Sequence, residues 1–192
     1  MSEGTLGREL LHKRDFAFEG YARRDGHYDI EGRMTDRKTY AFPNDFRGVI
    51  EADEPLHDMR IRVTIDESFK ILDIVAETAA GPFQICPAIT PAFAALKGVT
   101  IGRGWTRLLR EKFGGVNGCT HHLELLRTLA TVAFQTVHGE ELRRRRQGRG
   151  TAPANQPEAN GKRPALIDTC HALAADGDVV KARWPDFYQP KS

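Results

Sequence analysis

The string Gly118-Cys119-Thr120-His121-His122 places a thiol and two imidazoles at the start of a helix, just after a glycine-rich turn. Unpaired N–H groups and the helix dipole at such a start favour a thiolate, the form that attacks electrophiles or binds metal. Spacing leaves the partner open. With Cys119 as the cap, His121 can turn toward it; with Cys119 inside the helix, His122 at i+3 shares its face. Taken alone, Cys119 reads first as a small buried thiol, because free Cys is among the most buried residue types. Cys86, beside Phe83, Ile85 and Pro87, and Cys170, four residues after Leu166 and three before Leu173, read as core thiols on the same ground. Together, Cys86, Cys119, Cys170 and one histidine would complete a three-thiolate, one-imidazole set suited to zinc, or an iron–sulfur anchor, although no pair has CxxC spacing. His57, near Asp53, Glu54 and Asp58, is a solvated loop histidine on the simplest view and a general base or ligand on the functional one. Asp36 and Arg24-Asp25-Gly26 are explained first by turn chemistry.

The elements that must position these residues divide into a β half and an α half. Phe16, Phe18 and Tyr21 alternate roughly with polar residues. After Asp25-Gly26, Tyr28, Ile30, Gly32 and Met34 take every second position, as in a hairpin. Met59, Ile61, Val63 and Ile65 alternate with Arg60, Arg62 and Thr64, the clearest strand in the chain, and Asp66 to Phe69 turns it into another at Ile71 to Ala76. Thr90-Pro91 opens a short helix that stops at Gly98, and Trp105, Leu108, Leu109 and Phe113 share one helical face. The longest helix is expected from near Thr120 to near Gly139, with Leu123, Leu126, Ala130, Phe134 and Val137 inward, and a last one from Leu166 to Ala175. Strands first and helices after indicate an α+β fold, an N-terminal antiparallel β-meander followed by a C-terminal helical half.

Composition excludes more than it identifies. The 192 residues hold 28 Lys plus Arg against 26 Asp plus Glu, 40% hydrophobic residues and ten Phe, enough for a real core in one soluble domain. The N-terminus lacks the apolar run of a secretion signal, so a cytoplasmic location is expected, and three cysteines there argue against a disulfide framework. The uncharged stretch Thr78 to Leu96 contains three prolines, Gly81 and Gln84, which fit a folded segment better than a membrane span. Between Gly139 and Arg163 stand seven basic residues (Arg143, Arg144, Arg145, Arg146, Arg149, Lys162, Arg163) and three acidic ones, so this segment supplies the whole positive excess. Residues 143–165 lack aromatic and large aliphatic side chains and are expected to form a mobile loop between 1–142 and 166–192, which share one domain. The arginine run has no interleaved aromatics, so nucleic acid is not the expected partner. No P-loop or dinucleotide site is present, because Gly102-Arg103-Gly104 is not followed by GK[ST].

Several strings together resemble a bacterial family catalogued as a domain of unknown function, number 2889. They are Arg24-Asp25-Gly26 with Ile30-Glu31 and Asp36-Arg37-Lys38; His57-Asp58-Met59 leading into Ile61 to Asp66; Cys86-Pro87; Leu96-Lys97-Gly98 with Ile101 to Trp105; Gly114-Gly115; Gly118-Cys119-Thr120-His121; and Asp168-Thr169-Cys170. The resemblance implies His121 as the partner of Cys119, since a leucine is expected at the position of His122. It also includes Cys86, Cys170 and His57. A more distant resemblance is to iron–sulfur scaffold proteins of the IscU and NifU type, in which cysteines follow the last strand and open a long helix. Here the early Cys-Gly pair and the Pro-Pro-Val-Lys segment of that group are missing, and Cys170 is extra.

The expectation is therefore a cytoplasmic enzyme acting on a small molecule. Its site would hold zinc or iron on Cys86, Cys119, His121 and Cys170, with His57 or Asp36 as proton carrier, or would use Cys119 as a nucleophile activated by His121. The alternatives are a metal or iron–sulfur cluster carrier without turnover, and a ligand- or RNA-binding module using the arginine loop.

Overall fold

The computed structural model describes residues 7–148, 163–164 and 166–190. Four long strands, β1 (His12–Ala22), β2 (Tyr28–Lys38), β5 (Pro55–Ile65) and β6 (Ile71–Ala80), form an antiparallel sheet in the order β1-β2-β5-β6, and the short strands β3 (Phe42–Asn44) and β4 (Gly48–Ile50) make a separate hairpin. A 3-10 helix (Cys86–Leu96), α1 (Trp105–Phe113), α2 (Thr120–Arg146) and α3 (Asp178–Arg183) follow, so the fold is α+β with strands before helices.

Strand alternation decides which side chains meet the helices. Tyr28, Ile30 and Met34 of β2 and Met59, Ile61, Val63 and Ile65 of β5 point inward and are buried with Leu123, Leu125, Leu126, Leu129, Ala133 and Val137 of α2 in one apolar cluster. Glycine lets α2 lie close to the sheet: a Cβ built on Gly20 would stand 1.9 Å from Thr136 Oγ1, and one on Gly32 would stand 2.7 Å from Phe18 and 3.3 Å from Leu125. Trp105 ties α1 to α2 by donating its indole N–H to the Leu126 carbonyl at 2.8 Å, which satisfies the polar end of a buried ring.

Several sequence expectations are corrected. The helix expected from Thr90-Pro91 begins earlier, at Cys86, and is 3-10 throughout, with Pro87 and Pro91 removing backbone donors that an α-helix needs. Helix α2 runs past Gly139, so Arg143 to Arg146 form its last turn and not the start of a loop. Cations at that end complement the helix dipole, and Arg145 pairs with Glu141 one turn back. Of the rest of the expected loop, 149–162 and 165 lie outside the described residues. No helix spans Leu166 to Ala175. Asp168 takes a left-handed φ of 66°, and only a 3-10 turn, His171–Leu173, forms before α3.

The chain divides into two compact units, 1–140 and 141–192. In the second unit, Ile167, Ala175 and Val180 form a small cluster of their own with Trp184 and Phe187. These apolar residues are near neighbours in sequence and close on one another. Among the described residues, no helix is long and apolar enough to cross a membrane.

Candidate active site

The site lies in the first unit, at the end of the sheet where β2 finishes, β5 begins and α2 starts. Strand register places Arg14 of β1 opposite Asp36 of β2, and Asp36 opposite His57 of β5. Directly opposed residues share a face, so the three side chains stand in one row on the inward side. The register shifts between Asp36 and Arg37, a bulge that ends the regular ladder beside the row.

Asp36 is the hub. Only 2% of its side chain is exposed, and all four acceptor positions of its carboxylate are engaged. Oδ1 accepts from Arg14 Nε at 2.7 Å and His12 Nε2 at 2.8 Å. Oδ2 accepts from Arg14 Nη2 at 2.7 Å and His57 Nδ1 at 3.0 Å. Burial pushes the Asp36 pKa up, but the hydrogen bonds from Arg14 and His12 and the neighbouring positive charge outweigh it, holding the carboxyl at about 2. Arg14 in turn gives Nη1 to Glu124 of α2 at 2.9 Å, which fastens the helix start to the edge strand.

Cys119 occupies the position just before α2, and its carbonyl accepts the first helical bond, from Leu123 N–H at 3.0 Å. With Cys119 as a cap, the residue two positions on turns toward it: His121 Nδ1 is 3.8 Å from Cys119 Sγ. The other ring nitrogen, Nε2, is 3.7 Å from Asp36 Oδ2. The imidazoles of His121 and His57 pack against each other, centroids 3.9 Å apart and planes tilted by 38°. His122 points the other way. It is fully buried, gives Nε2 to the Glu77 carbonyl at 3.1 Å and packs on Phe93.

Both site histidines are held neutral near pH 7. Burial is the main cause for His57, reinforced by His121 and only partly offset by Asp36, and its pKa falls to about 4. Burial and then the Arg14 guanidinium push His121 down as well. Because Arg14 balances the Asp36 charge, the pair stabilises an imidazolium less than a lone carboxylate would.

The candidates from sequence are thus distributed unevenly. Asp36, assigned first to turn chemistry from the sequence, is a buried strand residue, and His57 is a half-buried strand histidine whose partner is Asp36 and not Asp53, Glu54 or Asp58. Cys119, His121, Asp36 and His57 come together. Cys86 begins the 3-10 helix with its sulfur 3.3 Å from where a Gly81 Cβ would stand, and Cys170 is an exposed residue of the second unit. Among the described residues, the set of three ligand-capable side chains whose donor atoms converge is Asp36, His57 and His121, which includes no cysteine. Sequence reasoning missed Arg14, His12 and Glu124. The even spacing of His12 and Arg14 in a strand was the available signal, but only the cross-strand register reveals their target.

A family model described as a protein of unknown function (DUF2889) matches residues 12–135, a span that contains every member of this constellation. No curated protein and no solved structure matches the chain, so the likeness to IscU-type scaffolds finds no support there.

Proposed function

We propose, for a chain that belongs to the DUF2889 family of proteins of unknown function, a cytoplasmic enzyme that uses Cys119 as a nucleophile toward an electrophilic carbon of a small molecule. The observation that carries this reading is the line Cys119 Sγ, His121 Nδ1, His121 Nε2, Asp36 Oδ2, with separations of 3.8 and 3.7 Å at its two ends. A nucleophile beside a base that is itself oriented by a third group is the general arrangement of thiol and hydroxyl catalysis, and its contacts are commonly loose before substrate binds.

In the proposed step, His121 Nδ1 takes the Cys119 proton as sulfur bonds to a carbonyl carbon. The leaving group then departs with that proton, and water hydrolyses the thioester to regenerate the thiol. Asp36 touches no reacting atom. It is a positioning residue whose carboxylate, 3.7 Å from Nε2, orients the ring by charge and offsets part of the Arg14 repulsion when the imidazolium forms. Arg14 and His12 keep Asp36 ionised and immobile. The start of α2 favours negative charge at the cap, where the thiolate forms. The free thiols of all three cysteines suit a reducing compartment.

The cluster-carrier alternative has less support, since the cysteines do not form a converging ligand set among the described residues. The arginine-loop alternative gains no support, because Arg143 to Arg146 end a helix.

Para-nitrophenyl acetate tests the reading. A burst of one equivalent of nitrophenol is expected, with an acetyl group mapped by mass spectrometry to Cys119, and Cys119→Ser should abolish both. A folded protein that forms no adduct at Cys119 would refute it.

A further inference from the structure

We infer that Asp36, His57 and His121 also form a binding site for one divalent transition-metal ion of the zinc class, and that this ion suppresses the nucleophilicity of Cys119. The site differs from the thiolate set expected from sequence: it uses one carboxylate and two imidazoles, brought from β2, β5 and α2.

Geometry carries the inference. The Oδ2 of Asp36 lies 3.0 Å from His57 Nδ1 and 3.7 Å from His121 Nε2, and the three donor atoms lie within 4.8 Å of one another. Metal–nitrogen and metal–oxygen bonds of about 2.1 Å set neighbouring ligands about 3.0 Å apart at octahedral angles and about 3.4 Å apart at tetrahedral ones. The two separations from Asp36 Oδ2 bracket those values. Asp36 is almost fully buried, and 14% and 19% of the His57 and His121 side chains are exposed, leaving an approach from solvent for the ion and its remaining water ligands.

The donor set selects the class of ion. Two imidazoles suit zinc or ferrous iron and do not suit magnesium or calcium, which prefer oxygen ligands. Binding replaces the proton that His57 Nδ1 gives to Asp36, so the carboxylate exchanges one hydrogen bond for one metal bond and retains those from Arg14 and His12. The adjacent guanidinium repels a cation, which points to reversible binding and not to a permanent structural ion.

The consequence for Cys119 follows from the histidine tautomer. An ion on His121 Nε2 requires the neutral ring to carry its proton on Nδ1, the atom that faces Cys119 Sγ at 3.8 Å. That nitrogen can then no longer accept the thiol proton. This regulatory half rests on the nucleophile reading, whereas metal binding does not.

The test uses untagged full-length protein, stripped with chelator and titrated with Co2+ and then Zn2+. One equivalent of Co2+ is expected to give visible d–d bands without a cobalt–thiolate charge-transfer band, and Zn2+ should displace it. His57→Asn and His121→Asn should each weaken binding at least about tenfold, whereas Cys86→Ser, Cys119→Ser and Cys170→Ser should leave it unchanged. If a histidine variant does not fold, Zn2+ titration of the wild-type protein followed by imidazole NMR should shift the His57 and His121 ring signals and leave those of His27 and His171 in place. Absence of saturable binding, or a thiolate band that vanishes in a cysteine variant, overturns the metal site. One equivalent of Zn2+ should also slow iodoacetamide alkylation of Cys119 at least tenfold. Zinc bound with alkylation unchanged overturns the regulation alone, and a metal-free Cys119 no more reactive than Cys170 overturns the nucleophile reading instead.

Discussion

Arg14 grips Asp36 through two parallel hydrogen bonds of 2.7 Å, from Nε to Oδ1 and from Nη2 to Oδ2, across directly opposed positions of the edge strand and its neighbour. The fork fits a planar carboxylate in a way that an ammonium cannot. Arg14→Met would leave a carboxylate that is 2% exposed without its counter-charge, and a loss on the order of 2–4 kcal/mol is expected. Arg14→Lys should recover only part of it. Urea unfolding at pH 7 measures both, and equal stability of Arg14→Met and wild type would show that the fork does not hold the site together.

Acid should destabilise the metal-free protein in two stages. His57 titrates at about 4 in the folded state, below its unfolded value of about 6.5. The unfolded chain therefore takes up the proton first as pH falls. The stability due to neutral His57 is complete above about 6.5 and is lost as pH falls toward 4, by on the order of 2–3 kcal/mol. His121 is shifted in the same direction and adds to that window. Asp36, held at about 2, contributes stability present above about 3.9 and lost as pH falls through 2. Chelator-treated protein melted at pH 7.5, 5.5 and 4.5 should show the first stage, and His57→Gln should flatten it.

Gly20 permits the close approach of β1 to α2. A methyl group there would stand 2.8 Å from Thr136 Cβ as well as 1.9 Å from its hydroxyl, so a rotamer change alone cannot relieve the contact. Gly20→Ala should cost about 1–3 kcal/mol, and Thr136→Gly in the same chain should recover much of that loss. A double-mutant cycle with no coupling would show that the two positions do not meet.

Much of the fold was legible because period and punctuation agreed. The alternation Met59, Ile61, Val63, Ile65 marks β5, and the spacing of Trp105, Leu109 and Phe113 marks α1. The C-terminal segment was misread because Leu166, Cys170 and Leu173 have helical spacing, whereas Asp168 adopts φ > 0 and Ala175 N–H bonds to its side chain, closing the backbone into a turn. That Cys119 stands beside candidate imidazoles was legible from the string, but spacing left His121 and His122 open and only the resemblance to the family favoured His121. Their link to Asp36 was not legible, for it depends on Arg14, Asp36 and His57 falling opposite one another across three strands, and pairing register is a tertiary property.

The central claim is that His121 activates Cys119, and the rate of alkylation at each cysteine tests it most directly. Metal-free protein treated with limiting iodoacetamide at pH 7 and mapped by mass spectrometry should be modified first at half-buried Cys119, ahead of the exposed Cys170. His121→Gln should slow Cys119 at least about tenfold, within the range that a positioned base contributes, while leaving Cys170 unchanged. Modification that follows exposure alone, with Cys170 first and no effect of His121→Gln on Cys119, would contradict the account.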